Sequence, residues 1–459
     1  MSWRRARIGT FLKRVKQPVE IENSVEYKRI TIKTKHQGIF LRDKTKGSLI
    51  GTKLQFIVFE GQFLLSKIDA RLGAFGIVPK ALDGGIITGN FWAFDVDESQ
   101  VNINWFNLFT SSGNFYDICN QASSGTTHRK YLDEQKFLDF EINLPDLNEQ
   151  NVFMNKYENF YASYQLIQNE IAQQQIYLQH LRQTILQEAV EGKLTKQDPT
   201  DEPATELLKR IKAEKESLIK AGKLKKEKEL LAIKEEEILF ELPKRWIWCR
   251  LGEICTKIGS GSTPRGGKEV YKNEGVKFIR SQNVYNESLI FNNVAYIDVA
   301  THEKMDGTKV VANDILLNIT GGSIGRCALV PQDFDEANVS QHVTIVRTVS
   351  LVVKEFIHQL MLSPYFQEYI MATQTGGNRE GLAKKNMELM LIPLPPLAEQ
   401  LRIVAKVQGL RQHLSQLESH LEQSRQYAQA LLQSVLRETF TVSGKVYEVN
   451  GELSLVAEK

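Results

Sequence analysis

The chain repeats itself, and this constrains its fold more than any other feature. Phe63-Leu64-Leu65-Ser66 leads through Gly73 to Pro79, and Ile315-Leu316-Leu317-Asn318 leads through Gly325 to Pro331, each position 252 residues further on. The same offset carries Thr88-Gly89-Asn90-Phe91 onto Ser340-Gln341-His342-Val343 and Gly125 onto Gly377. From there the offset is 250: Leu132 falls on Leu382, segment 142–150 (INLPDLNEQ) on 392–400 (IPLPPLAEQ), and 183–186 (QTIL) on 433–436 (QSVL). Matches at so constant an offset require two copies of one folding unit.

Each copy ends in a segment with heptad character. Apolar or small residues stand at Ile403, Val407, Leu410, Leu414, Leu417, Leu421, Ser424, Ala428, Leu431 and Val435. Steps of four and three alternate, which keeps one seam turned toward a partner helix. Subtracting 250 gives Phe153, Tyr157, Phe160, Tyr164, Ile167, Ile171, Gln174, Leu178, Leu181 and Ile185. The first helix carries large aromatics at its start and the second small residues near its end, so an antiparallel pair is expected. Between the copies, Pro199 and Pro203 stop the first helix, 204–221 restarts one, and Gly222 ends it. The lysine-rich run 223–228 is expected to be a solvated connection.

The expected organisation is therefore a first lobe over 1–150, a long helix over 151–192, a linker with a short helix over 193–243, a second lobe over 244–397, a second long helix over 398–440 and a tail over 441–459. Each lobe alternates short apolar runs with Gly, Asn and Ser turns. Segments 56–59, 63–68, 276–280, 314–319 and 343–349 are predicted strands, and 356–372 a helix interrupted at Pro364. The fold class is α+β: two small mixed-sheet domains joined by two long helices.

The chemistry that is missing narrows the function. Gly261–Lys268 (GSTPRGGK) has the wrong glycine-to-lysine spacing for a phosphate-binding loop and a proline inside it. No metal-ligand spacing, nucleophile motif or methyl-donor loop is recognisable, and the four cysteines are scattered, as in a reduced intracellular protein. No stretch approaches the roughly 20 apolar residues of a membrane span, and the basic N-terminus lacks the apolar core of a signal peptide. A net charge of +3 neither requires nor forbids a nucleic-acid partner.

What remains is the polarity of the turns. The first lobe offers Lys67, Arg71, Asn90, Thr126, Arg129 and Lys130; the second offers Arg280, Gln282, Asn283, Asn318, Ser323, Arg326, Gln341, His342, Asn378 and Arg379. Arg, Gln and Asn can make paired hydrogen bonds to base edges, and Lys, Ser and Thr reach phosphates. Ordinary turn chemistry uses many of the same residues, so it is their recurrence in both lobes that favours binding.

Four stretches carry a resemblance to a known family: 241–267 (ELPKRWIWCRLGEICTKIGSGSTPRGG), 318–331 (NITGGSIGRCALVP), 392–400 (IPLPPLAEQ) and 181–216 (LRQTILQEAVEGKLTKQDPTDEPATELLKRIKAEKE). In this order, and duplicated, they resemble the specificity subunits of type I restriction–modification enzymes. The resemblance implies a non-catalytic cytoplasmic DNA-binding subunit with two target recognition domains on an antiparallel coiled coil. Each domain would read one half of an asymmetric bipartite target in double-stranded DNA. Two modification subunits carrying the adenine methyltransferase site, and usually two restriction subunits with motor and nuclease, would be its partners. S-adenosylmethionine, ATP and Mg would be bound by those partners, with no cofactor or metal on this chain. The alternatives are a coiled-coil scaffold with protein-binding lobes and a cryptic nuclease or methyltransferase. Two departures concern the first lobe: Val15–Pro18 stands where the second has 259–265, and Asp69-Ala70 where the second has Gly321-Gly322.

Overall fold

The computed structural model describes residues 3–126, 129–226, 228–286, 288–350, 352–374 and 381–440. The chain forms two compact units, one made of residues up to Ala172 together with the helix from Glu422, the other of Gln173–Leu421.

In the first unit a four-stranded antiparallel sheet runs in the order Leu12–Val15, Phe91–Val96, Phe63–Ser66, Phe75–Ile77. A five-stranded sheet follows the order Pro18–Glu20, Leu54–Val58, Gly85–Ile87, Glu26–Lys33, Gly38–Lys46. Phe63, Phe75, Phe94, Phe106 and Phe115 meet in the core, most of them edge to face, the arrangement that aromatic quadrupoles favour. The second unit repeats the four-stranded sheet in the same order: Cys255–Ser260, Val343–Thr348, Ile315–Asn318, Cys327–Leu329. Its other sheet has four strands, Ala295–Ile297, Val276–Ile279, Ala337–Val339 and Lys309–Val310. The expected mixed pairing is present, since each second sheet contains one parallel pair, but it is divided between two sheets in each unit. The interrupted helix is Lys354–Leu362 followed by Pro364–Thr373, with Ser363 capping the second through Phe366 N. Its break is the proline, which takes the first position of the new helix.

The duplication holds down to single hydrogen bonds. Ser66 N donates to Ala74 O at 2.9 Å and Asn318 N to Arg326 O at 2.8 Å; Val78 N donates to Gln62 O at 2.9 Å and Val330 N to Asp314 O at 2.8 Å. One polar pair keeps its place and changes its chemistry. Gln62 Nε2 donates to Asp95 Oδ1 at 2.8 Å in the first unit, whereas Arg347 grips the buried Asp314 at 2.6 and 2.8 Å in the second.

The repeated Pro-x-Leu-x-Glu-Gln segment also has a structural reason. Gln150 Nε2 donates to Pro145 O (2.8 Å) while its Oε1 accepts from Asn102 N (2.7 Å). Gln400 does the same with Pro395 O (3.0 Å) and Val353 N (3.1 Å). Both glutamines are fully buried. Each locks the start of a long helix to the loop before a lobe helix.

The long helices are Leu147–Val190 and Leu397–Phe440. In the first unit the start of one clusters with the end of the other, Met154 and Tyr157 with Leu432. In the second, Leu178, Ile185 and Ala189 cluster with Ile403, Val407 and Leu414, and Arg182 bridges to Glu418 at 2.8 Å. Pairing is antiparallel in both. The seam differs in detail from strict heptads: Ile167, Leu181, Leu417 and Leu431 are exposed, and Leu432 is buried in place of Leu431. A straight helix drifts by about 20° per heptad, and over four heptads from Ile403 this amounts to nearly one residue.

The connecting segment is not a free linker. The helix Ala204–Lys220 buries Ala204, Leu207, Leu208 and Ile211 in the core of the second unit. Glu399, itself buried, accepts from Trp246 Nε1 (2.8 Å), Thr195 (3.1 Å) and Gln197 (2.6 Å). Arg250, 3% exposed, binds Glu237 at 2.6 and 2.8 Å and the carbonyls of Leu231, Ala232 and Leu389. Carboxylate and carbonyls thus fill the donor positions of the buried guanidinium, so 231–237 is clasped to the lobe.

Candidate nucleic-acid interface

Antiparallel pairing brings alternate strand ends together, and the polar turns sit where they meet. In the second unit Ser260 and Asn318 end their strands, Cys327 and Val343 begin theirs, and Ile279 and Val339 end two strands of the other sheet. The loops attached there are tied to one another. Ser340 N donates to Ile279 O (2.9 Å), Ile319 N to His342 O (3.0 Å), and Gly261 N to Val343 O (3.0 Å). Gly261 passes so close to the neighbouring strand that an added Cβ would lie 1.8 Å from Val339 O, so no other residue fits. This explains the glycine in the 259–265 turn.

The side chains complete the network. Asn318 Nδ2 donates to Ser281 O (2.9 Å) and Ser323 Oγ (3.2 Å). His342 Nδ1 lies 2.6 Å from Thr320 Oγ1 and its Nε2 3.1 Å from Gln341, which also meets Thr263. Asn283 Oδ1 accepts from Arg280 N (3.0 Å) and Asn283 Nδ2 donates to Ile290 O (3.0 Å). The Arg326 guanidinium lies over the Tyr285 ring at 5.0 Å, a cation–π contact that holds a long side chain in place.

Arg280, Gln282, Ser323, Arg326, Gln341 and His342 are thereby gathered at one end of the second unit, with Gln282 and Gln341 exposed and the others half-buried. Asn283 and Asn318 need correction as contact residues. Both are fully buried and serve to brace the loops that carry the others. Asn378 and Arg379 lie outside the described residues.

The first unit builds the same end from different residues. Lys67 N donates to Asn90 O (2.9 Å) and Leu132 N to Lys67 O (2.8 Å). The counterparts are Ile319 to His342 at 3.0 Å and Leu382 to Ile319 at 3.0 Å. Lys67, Asn90 and the hairpin Ser123–Thr126 with Arg129–Leu132 are thus brought together. Lys130 and Lys67 are half-buried, Lys67 Nζ lies 5.8 Å from the Tyr131 ring centroid, and Asn90 is exposed. Thr126 and Arg129 face each other across the hairpin backbone; their side chains lie outside the described residues. Arg71 sits on the short helical turn Ala70–Leu72, followed by Gly73 at φ +83. Gly325 holds the same place at φ +84, and in each unit the glycine packs against a helix, on Tyr116 and on Gln367.

Tyr285, Thr263 and Thr320 belong to this constellation although sequence reasoning does not single them out. Thr263 and Thr320 carry a signal, their places in the polar turns 260–265 and 318–326; Tyr285 becomes visible once the sheets are assembled. Among the described residues no group of His, Cys, Asp and Glu could hold a metal ion, and the four cysteines are buried thiols.

Two units with matching sheets and matching loop ends correspond to one known domain type. The profile of the type I restriction modification DNA specificity domain matches residues 8–174 and again 243–424. The chain belongs to that family. It is 33% identical over 251 residues to the specificity subunit of the type I restriction enzyme EcoAI of Escherichia coli, covering 54% of this chain and 42% of that protein. Against the EcoEI specificity subunit of the same species it is 31% identical over 260 residues, again 54% and 42%. These matches span less than half the length of those relatives. Among solved structures, a chain from a study of assembly and conformational transition in a type I restriction–modification system superposes with a TM-score of 0.63 at 17% identity, covering 96% of this chain and 97% of that one. The HsdS subunit of Thermoanaerobacter tengcongensis gives 0.54 at 17% identity, covering 96% of each chain. At such identity these two establish the fold.

Proposed function

We propose that this chain is the non-catalytic, sequence-reading subunit of a type I restriction–modification complex. Each lobe binds one half-site of a bipartite target in double-stranded DNA, and the paired helices set the gap between the halves. The observation that carries this is the repeated loop end. One hydrogen-bond scaffold is built twice, bearing Lys67, Asn90 and Lys130 in one unit and Arg280, Gln282, Arg326 and Gln341 in the other. An identical frame with different side chains is what two different half-sites call for.

Adenine methylation and cleavage then belong to partners: two modification subunits and two restriction subunits, which supply S-adenosylmethionine, ATP and Mg. Apolar residues left exposed on the long helices, Leu166, Tyr177, Tyr427 and Leu431, suit the docking of the modification subunits, since exposed apolar side chains on a rod mark contact surfaces. The working compartment is the cytoplasm, where host DNA lies; among the described residues no helix is long and apolar enough to cross a membrane.

The experiment is a genome-wide map of N6-methyladenine in host cells with and without this gene. A bipartite motif methylated only when the gene is present is the expected outcome. If the gene and its modification partner are both expressed and no motif depends on them, the proposal fails.

A further inference from the structure

The first lobe lengthens a strand pair that the second keeps short, where Val276–Ile279 pairs with Ala295–Ile297 in the corresponding place. Strands Glu26–Lys33 and Gly38–Lys46 form a long two-stranded ribbon at the edge of the five-stranded sheet. Residues 26–46 contain seven Lys or Arg against two Asp or Glu. Arg29 is consumed by Asp43 (2.7 Å from Nε to Oδ1), and Lys28 Nζ reaches the carbonyls of Ala81 and Asp83. Lys33, Lys35, Arg42, Lys44 and Lys46 are exposed, Lys33 over the Phe40 ring at 4.2 Å and Arg42 4.0 Å from Asp43.

The ribbon is also fixed in place. Its turn residues Lys35 and His36 adopt positive φ (59° and 54°). Lys35 N donates to Leu72 O (2.7 Å) and His36 N to Gly73 O (2.9 Å), on the very loop that carries Lys67 and Arg71. The His36 ring lies edge-on to Phe75 at 5.4 Å and 2.8 Å from Thr110 Oγ1. Lys33 and Lys35 therefore stand beside the candidate interface, and Arg42, Lys44 and Lys46 follow along the braced ribbon toward its other end, where Lys46 pairs with Glu26.

We infer that this lengthened ribbon is a phosphate-backbone clamp of the first lobe, through which Arg42, Lys44 and Lys46, with Lys33 and Lys35, neutralise duplex DNA beside its half-site. The inference rests on the proposed DNA-reading function. A two-stranded ribbon has the dimensions to lie along duplex DNA, and exposed cations in a row match a polyanion better than an apolar or mixed protein surface. The clamp also gives the first lobe a backbone grip where it lacks the glycine turn 259–265.

The test uses the full chain and a short fluorescent duplex of mixed sequence, titrated over a range of salt. The variant carries Arg42→Gln, Lys44→Gln and Lys46→Gln. Each phosphate left without its cation takes about 0.9 off the slope of log affinity against log salt. The slope should therefore shrink by about 2 to 3, and affinity should fall about tenfold or more at low salt. A second variant, Lys44→Arg with Lys46→Arg, keeps the charge and should keep the slope. The methylation motif of cells carrying the triple variant should name the same bases as wild type. An unchanged slope would overturn the clamp; a wild-type motif persisting beside it would show that DNA reading itself stands. An unchanged slope, with the modification subunit no longer co-purifying, would make the ribbon a protein-binding element and overturn the inference equally.

Discussion

Desolvation holds the His36 imidazole neutral, pushing its pKa from the usual 6.5 down to about 4. The unfolded chain takes up this proton as pH falls through about 6.5, and the folded chain does so only near 4. Stability is therefore full above the upper value and is lost as pH falls through the window, by on the order of 3 kcal/mol at its lower end. Thermal unfolding of wild type and His36→Asn, an exchange that keeps a residue at ease with positive φ, checks this. Between about pH 7 and pH 4.5 the wild type should lose more stability than the variant; equal losses would show that His36 is not titrating in the unfolding transition. Nothing in the sequence singles out this histidine, because its enclosure depends on Phe75 and Thr110 arriving from distant segments.

At the scale of elements, the helices show what periodicity captures and where it stops. Their existence, pairing and direction are legible from the seam and from large aromatics opposite small residues. Which seam residues are buried is not, because a 3.5-residue repeat and a 3.6-residue helix part company along 44 residues. Leu414 is 3% exposed and Leu417 50%, although the heptad pattern treats them alike. In the isolated chain Leu414→Ala should cost about 3 kcal/mol, the usual penalty for a core cavity, and Leu417→Ala less than about 0.5 kcal/mol. Denaturant unfolding of the two variants distinguishes them; equal costs would restore the strict heptad. In the connecting segment the lysines 223, 225, 226 and 228 are exposed, as their sequence suggests. The anchoring on either side of them is not legible, because Arg250 and Glu399 lie in other segments and hold 231–237 and 195–197 through backbone carbonyls and long-range side-chain hydrogen bonds.

For the molecule as a whole, the duplication is the most legible feature, since a constant offset survives wide divergence. The loop ends are legible as sets of polar residues in turns, but not which residues face outward. Asn283 and Asn318 look like readers in the sequence, yet they are buried braces. The first lobe's ribbon stays hidden because its strands alternate poorly and its charge is spread over both. The consequence of the two-unit design is independence: a change at one loop end should leave the other half of the target untouched.

That independence is the central claim, and a methylation map tests it most directly. Cells carrying Gln282→Ala with Gln341→Ala, two exposed residues of the second unit, should methylate a motif relaxed in one half, with the other half and the gap unchanged. Relaxation of both halves together, or a motif unaltered in either, would contradict it.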